Sequence, residues 1–354
     1  MSGSAPAGRE NRHAPSWAGM GSWVVFLGAV GIVLWSLAKP HAASEGPLVE
    51  TRLMMDTLVS LKVWPRPAWP GGAAAGAIQA GFQAMERVER MASYHRPDSD
   101  LSALNRSPGP FSPGPEFRRL LERADAAARM TGGFFDPTFS VLQRAWGFYD
   151  QKGRIPGPDE LRACLARVGW TRLVTLDGTR VALASGTVLD LGGIAGGFAI
   201  EEAIAALRRA GADTFFIDDG GDLWMEGRKP DGAPWRVAVR DPRGEGPLAL
   251  VESAMPIAIS TSGDYERFVM AGDRRINHIF DPRSGEPATA FRSVTVVASS
   301  PLLADIWSTA LFAMPPEEAR QAADREHLPA LFLPASGPTW LSAAGPAWFL
   351  QVRP

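Results

Sequence analysis

The stretch Val188-Leu-Asp-Leu-Gly-Gly-Ile-Ala-Gly-Gly-Phe198 constrains this chain more than any other. Thr187 to Leu191 reads as a short buried strand, and Phe198 to Ala210 returns to a helical apolar period. Gly192, Gly193, Gly196 and Gly197 stand between them. A strand, a glycine turn and a helix start put bare backbone N–H groups at a helix N-terminus, where phosphate binds without a side chain. Glycine suits such a turn because backbone and ligand approach closely and some φ angles turn positive. The spacing matches neither G-x-G-x-x-G nor a lysine-bearing P-loop. A tight strand-to-helix connection with no ligand fits the glycines equally well.

The N-terminal segment is read as an address. Met20 to Ala38 contains no charged residue, and at 1.5 Å per residue it spans roughly 28 Å, the thickness of a hydrocarbon core. Trp17, Trp23 and Trp35 lie near its ends, and Arg9 and Arg12 precede it. The positive-inside rule then leaves residues 1–19 as a cytoplasmic tail, 20–38 as an uncleaved transmembrane anchor and 39–47 as a linker to an exported domain. A cleaved signal peptide is the competing reading. Ala38-Lys-Pro-His-Ala-Ala-Ser44 makes a poor cleavage site because proline falls at a critical position.

Residues 48–354 are long enough for a substantial core. A net charge of −2 gives no basic footprint for nucleic acid. The single cysteine excludes an internal disulfide and a thiolate-built metal site. It falls at Cys164, on the apolar face of a helix expected after Pro158, as a buried thiol. Leu48 to Val63 reads as extended, Ala73 to Met91 as an amphipathic helix, and Phe117 to Ala124 as another helix. Segments 214–217, 223–226, 235–239, 248–251, 255–260, 275–280 and 293–298 read as strands, many adjoining without helices between them. The expected fold is α+β, with mixed or antiparallel sheets and packed helices.

Ser300 can cap a last helix and Pro301 suits its first position. Asp305 and Thr309 are then i and i+4, with their oxygens on one face. A carboxylate plus a hydroxyl is hard-oxygen chemistry, suited to Mg²⁺ completed by carbonyl, water or phosphate oxygens. A capped surface helix is the plain alternative.

In this order the segments resemble the FAD:protein FMN transferase family, often called ApbE. The matching residues are Met55-Asp-Thr57, Ser93-Tyr94, Asp98-Ser-Asp-Leu-Ser-x-Leu-Asn105, Gly133-Phe-Phe-Asp-Pro-Thr138, Trp146-Gly-Phe148 and Leu189-Asp-Leu-Gly-Gly-Ile-Ala195. Gly220-Gly-Asp222, Thr261-Ser-Gly-Asp-Tyr265, His278-Ile-Phe-Asp-Pro-Arg-Ser-Gly285 and Ala304-Asp305 with Thr309 continue the match. Several separate motifs in one order are far more specific than any single one.

The resemblance implies a T-fold-like α+β core over residues 48–354. It also implies Mg²⁺-dependent transfer of FMN from the substrate FAD to a serine or threonine hydroxyl of an acceptor protein, releasing AMP. The implied acceptor is a membrane redox subunit, met on the outer, periplasmic side of the cytoplasmic membrane. By similarity, Met55, Tyr94, Phe134, Phe135, Asp136, Asp190, Ser262 and Ile279 line the FAD site. Asp305 and Thr309 hold the metal through side chains and Gly193 through its carbonyl. Asp305 and His278 are the catalytic candidates, His278 orienting the acceptor hydroxyl or acting as general base.

Two positions depart from the family pattern. Gly196 occupies a cofactor-side position where many relatives carry lysine or glutamate. Asp218 replaces a frequent asparagine, adding a carboxylate that is unfavourable near a polyanion unless it points away. An FAD pyrophosphatase, with water in place of the acceptor hydroxyl, and a non-catalytic flavin-binding partner subunit are the alternative functions.

Overall fold

The computed structural model describes residues 46–67 and 69–353. The expected tail and anchor fall outside the described residues, along with most of the linker. Among the described residues no helix is long and apolar enough to cross a membrane.

The domain opens with a hairpin, β1 (Leu48–Met54) and β2 (Thr57–Val63), turning through Met55 and Asp56. Both turn residues have positive φ, 48° and 64°, which matches the twist of the strands but favours glycine or asparagine. A side chain in that region costs about 1–2 kcal/mol. Glu89 holds the strained turn by accepting the Met55 N–H at 3.1 Å.

Helix α1 (Ala73–Ala92) buries Ile78, Phe82, Met85 and Val88 on one stripe, as its period requires. The polar segment after it contains a short helix, α2 (Asp100–Arg106), capped by Ser99. Then follow α3 (Pro115–Met130), α4 (Ser140–Ala145), α5 (Pro158–Leu165), which buries Cys164, and α6 (Trp170–Leu173). A small hairpin, β3 (Val174–Asp177) and β4 (Arg180–Leu183), leads toward α7 (Gly192–Arg209).

The rest is mostly sheet. In order come β5 (Phe215–Asp219), β6 (Asp222–Glu226), β7 (Trp235–Arg240), β8 (Pro247–Ser253) and β9 (Ile257–Gly263). They are followed by β10 (Phe268–Ala271), β11 (Arg274–Asn277), β12 (Phe291–Ala298), α8 (Pro301–Ala313) and α9 (Pro316–Arg325). Short strands β13 (Ala330–Pro334), β14 (Trp340–Leu341) and β15 (Phe349–Leu350) complete the chain.

Eight strands form one sheet in the order β1-β2-β5-β6-β9-β12-β13-β14. Every neighbouring pair in it is antiparallel, so the expected α+β class holds and the sheet is not mixed. Because side chains alternate along a strand, the sheet feeds two cores. Phe215 and Ile217 of β5 pack with helices α1, α7 and α8, while Phe216 between them packs with the small sheet β15-β8-β7. In β9, Ala258 belongs to the helix side and Ile257 and Ile259 to the other.

Two local expectations need correction. Thr187–Leu191 is not a sheet strand, and Leu191, with φ −99° and ψ 7°, is not extended. The Asn105 side chain acts as its strand partner, donating to the Leu189 carbonyl at 2.8 Å and accepting the Leu189 N–H at 2.9 Å. His278 lies just past β11 rather than within a strand.

Candidate active site

The glycine run is not a loop, as the sequence led us to expect, but the first turns of α7, which begins at Gly192. None of its four glycines has positive φ. Close approach is what requires two of them, Gly193 and Gly197. A methyl group on Gly197 would lie 2.8 Å from the Leu302 Cα of α8, and one on Gly193 would lie 3.3 Å from the Phe135 ring. The N-terminal turn of α7 is therefore a hub on which separate parts of the chain converge.

Helix α8 supplies the metal-ligand candidates. Ser300 caps it by accepting the Leu303 N–H at 3.3 Å and donates to Glu201 on α7 at 2.6 Å. Pro301 fills the first turn, where its missing N–H costs nothing. The helix packs on α7, β9 and β12, and most of its residues are buried. Asp305 Oδ2 accepts the Gly197 N–H at 3.2 Å. One turn on, Thr309 Oγ1 lies 3.2 Å from Ser262 Oγ on β9.

Strand alternation brings the partners. Ala258, Ser260 and Ser262 share the helix face of β9, small enough for α8 to lie close. Ser260 and Ser262 reach Ser308 at 3.1 and 3.0 Å, and Ser260 donates to Asp222 Oδ1 at 2.5 Å.

Three carboxylates meet at Gly196. A methyl group there would lie 3.5 Å from Asp219 Oδ2, 3.9 Å from Asp305 Oδ2 and 4.0 Å from Asp222 Oδ2. Asp219 ends β5 and Asp222 opens β6 directly opposite it. The intervening Gly220 and Gly221 have φ of 62° and 107°, which glycine adopts without strain. Burial, then Asp222, pushes the Asp219 carboxyl up to about 8. Burial first and neighbouring carboxylates second raise Asp222 and Asp305 as well. Among the described residues no lysine or arginine offsets any of the three, and Asp219 Oδ1 is buried without a hydrogen-bond partner. Asp219 and Asp222 were not candidates from the sequence, although the Asp-Asp-Gly-Gly-Asp hairpin at 218–222 was its visible signal. Asp218 turns its Oδ1 to the Gly221 N–H at 3.0 Å and closes that hairpin.

Asp190 sits just before α7, accepting the Gly192 N–H at 2.8 Å and the Tyr149 hydroxyl at 3.0 Å. Tyr149 stacks on Tyr94 with ring centroids 4.7 Å apart, and Arg144 donates to the Tyr94 hydroxyl at 2.8 Å. Tyr149 thus joins two candidates that lie far apart in sequence. Its only signal was its place one residue after Trp146-Gly-Phe148.

Phe135 is buried at 5% exposure against Gly193, and Phe134 lies beneath the Arg283 guanidinium at 5.1 Å. Asp136 is 6% exposed. Its oxygens accept from Thr138 N–H at 2.8 Å, Thr138 Oγ1 at 2.6 Å and Trp170 N–H at 2.7 Å, so in this structure it pins a turn. Ile279 is 4% exposed and its N–H is held by the Asn277 side chain at 3.0 Å. His278 Nδ1 lies 3.1 Å from the Arg267 carbonyl. A carbonyl only accepts, so Nδ1 carries the proton and Nε2 keeps its lone pair. Burial, then the Arg267 charge, pushes the His278 pKa down to about 3, which keeps the ring neutral. Among the described residues, no three His, Cys, Asp or Glu side chains are placed to cage a metal ion on their own.

The N-terminus of α7 thus lies beside hard-oxygen donors and aromatic side chains. Residues 55–332 match the model of the ApbE family. The FAD:protein FMN transferase of Treponema pallidum is 31% identical over 281 residues, covering 74% of this chain and 77% of that one. The Escherichia coli K12 enzyme of the same name is 28% identical over 272 residues, covering 73% and 77%. The ApbE protein of Thermotoga maritima superposes with a TM-score of 0.79 at 28% identity, over 85% of this chain and 99% of that one. The apo flavinyl transferase ApbE of Pseudomonas stutzeri gives 0.76 at 29% identity, over 86% and 96%. The chain belongs to the ApbE family.

Proposed function

We propose that this chain transfers FMN from FAD to a serine or threonine hydroxyl of an acceptor protein, releasing AMP, with Mg²⁺ at Asp305, Thr309 and the Gly193 carbonyl. Transfer of FMN from FAD to protein is the activity for which its relatives are named. One observation carries the metal: buried carboxylates without a basic partner meet hydroxyl oxygens beside a helix N-terminus. Hard oxygens and uncompensated negative charge fit Mg²⁺ completed by phosphate oxygens. Bound there, the ion supplies charge neutralisation at the pyrophosphate.

The chain's own groups do the positioning. The N-terminus of α7 favours the anion through its dipole, with Asp190 already holding its Gly192 N–H at 2.8 Å. Tyr94, Phe134 and Phe135 offer aromatic surface to the flavin or adenine ring. His278, neutral with Nε2 available, accepts a hydrogen bond from the acceptor hydroxyl and orients it, and the hydroxyl proton leaves with the departing AMP or to solvent. The hydroxyl oxygen bonds to the FMN-side phosphorus as the bond from this phosphorus to the bridging oxygen breaks, and AMP departs. The run Met20–Ala38 is proposed to anchor the domain on the outer face of the cytoplasmic membrane, with the acceptor in the same membrane.

Incubation of the chain with FAD, Mg²⁺ and a threonine-bearing acceptor, followed by mass spectrometry, tests this. A covalent FMN adduct on threonine is expected, equal in amount to AMP. AMP with free FMN and no adduct would make it a pyrophosphatase, and intact FAD a binding subunit. A mature N-terminus found near Ala43 would end the anchor proposal.

A further inference from the structure

The aromatic corner beside α7 holds a residue that the reaction above does not use. Tyr149 lies in the turn after α4, and the chain itself fixes that turn. Phe148 N–H donates to the Gln143 carbonyl at 2.9 Å, Trp146 Nε1 to the Gly285 carbonyl at 2.9 Å, and Arg154 N–H to the Trp146 carbonyl at 3.2 Å. Gly147 has φ of 83°, and a methyl group on it would strike the Lys152 carbonyl. A turn held this way presents Tyr149 as a fixed surface, not as a swinging cover.

Two contacts leave that surface. The ring stacks on Tyr94, with centroids 4.7 Å apart and 28° between the planes. Arg144 donates to the Tyr94 hydroxyl at 2.8 Å and stands 5.1 Å over the Tyr149 ring, so α4 and its turn grip both rings. The Tyr149 hydroxyl lies 3.0 Å from Asp190 Oδ2 and 3.1 Å from Gln143 Oε1. It has one proton, and the carboxylate is the stronger acceptor, so the proton goes to Asp190. Asp190 Oδ1 accepts the Gly192 N–H at 2.8 Å. Both carboxylate oxygens are thus held by the chain itself. This matters at the start of α7, because a carboxylate there repels a pyrophosphate and competes with it for the helix N-terminus. Without the tyrosine hydroxyl, Oδ2 loses its donor and its charge is no longer drawn toward protein.

We propose that Tyr149 is a positioning residue for FAD: its ring backs Tyr94 as a stacking platform, and its hydroxyl holds the Asp190 carboxylate so that this charge does not oppose the pyrophosphate. The proposal rests on the transferase reading above, in which Tyr94 and Asp190 line the FAD site. It adds the residue that ties the ring end of that site to the helix end.

FAD is titrated into the full-length chain and its variants in Mg²⁺, following flavin fluorescence, with the melting temperature recorded beside each titration. Tyr149→Phe keeps the ring and removes only the hydroxyl. It should raise the Kd for FAD at least about fivefold while melting within about 2 °C of the parent. Tyr149→Leu removes the stack as well and should raise the Kd at least about twentyfold. In an Asp190→Asn background there is no carboxylate charge to hold, so Tyr149→Phe should change the Kd less than about twofold. Parent-like FAD binding by Tyr149→Phe would overturn the proposal, as would an equal loss with and without the Asp190 charge. Tighter binding by Tyr149→Leu would overturn it too, and would make the ring an occupant of the ligand's own slot. A tyrosine that only supports the fold would lower the melting temperature and leave the Kd of the folded protein unchanged, which also overturns it. The titration needs no acceptor and no turnover, so these outcomes stand whether bound FAD yields a protein adduct, AMP with free FMN, or neither.

Discussion

The two layers that cover the central sheet bury different mixtures of surface. On the side of β7, β8 and β15 a small apolar cluster is built from Trp235, Val239, Leu248, Val251 and Phe349 against Phe216, Met225 and Leu333, with Ser253 buried beside it. On the helix side, Ser308, Ser260, Asp219 and Asp222 lie among the apolar side chains, with Asp305 against them. Burying such groups costs free energy unless something satisfies them. The smaller layer only stabilises the domain, whereas the helix side holds the larger apolar core and a site whose carboxylates work against it.

The largest effect should come from the helix side. Asp305→Ala is expected to lower FMN transfer at least about a hundredfold, because the loss removes a carboxylate proposed to hold the Mg²⁺ that neutralises the pyrophosphate. The protein should stay folded, since a strained and repulsive carboxylate has gone. Transfer at the parent rate in sub-millimolar Mg²⁺ would disprove the metal role. The opposite layer gives the control. Leu248 is fully buried, and Leu248→Ala should cost about 2–5 kcal/mol of stability while leaving transfer per folded molecule unchanged. Urea unfolding beside initial rates separates the two cases. A Leu248 variant with a large rate defect would show that the layers are coupled.

A third test uses protons. With its pKa raised to about 8 in the folded state against 3.8 unfolded, Asp219 makes the folded state bind more protons across that window. Its contribution is therefore fully present below about pH 4, is lost as pH rises to about 8, and changes no further above that. Melting temperature measured in EDTA should fall over this range. Asp219→Asn should flatten the fall and melt at least about 2 °C higher at pH 8, the shift that roughly 1 kcal/mol produces. Mg²⁺ should protect the parent at pH 8 by replacing the missing protons. His278 has the opposite sign: its folded pKa near 3 lies below the ordinary 6.5, so its contribution is present above pH 6.5 and is lost as pH falls toward 3. A flat parent profile between pH 4 and 8 would show that the carboxylates are not as isolated as their geometry implies.

How far the sequence reached follows the same division. Helices α1 and α8 were legible because each carries its own signal, an apolar stripe in one and a Ser-Pro start in the other. Asp305 and Thr309 were legible together because a helix alone sets their relation. Asp219, Asp222 and Ser260 were not, since they meet only when β5, β6 and β9 are neighbours, and strand order is not a local property. Period-2 alternation would have placed all three on one face had that order been known. The glycines misled for a related reason. The small size of Gly197 answers to Leu302, more than a hundred residues away, whereas the local pattern reads as a turn.

The smallest effect sharpens the comparison most. From sequence alone, lysine at position 196 was expected to contact FAD. In the structure the first atom of a side chain at Gly196 would face Asp219, Asp305 and Asp222 in ordinary contact, with no positive φ to oppose it. Gly196→Lys should therefore fold, and should stabilise by at least the roughly 1 kcal/mol that replacing glycine in a helix returns. Neutralising the carboxylates should add to this and should flatten the melting profile between pH 4 and 8, as Asp219→Asn does. FAD affinity, titrated by flavin fluorescence in Mg²⁺, should change less than about threefold, because the ammonium pairs with protein rather than ligand. A tightening of tenfold or more would mean that the side chain reaches the cofactor instead. A lower melting temperature would mean that α7 cannot give way by the few tenths of an ångström that lysine needs, leaving the helix side dependent on a bound cation for its balance of charge.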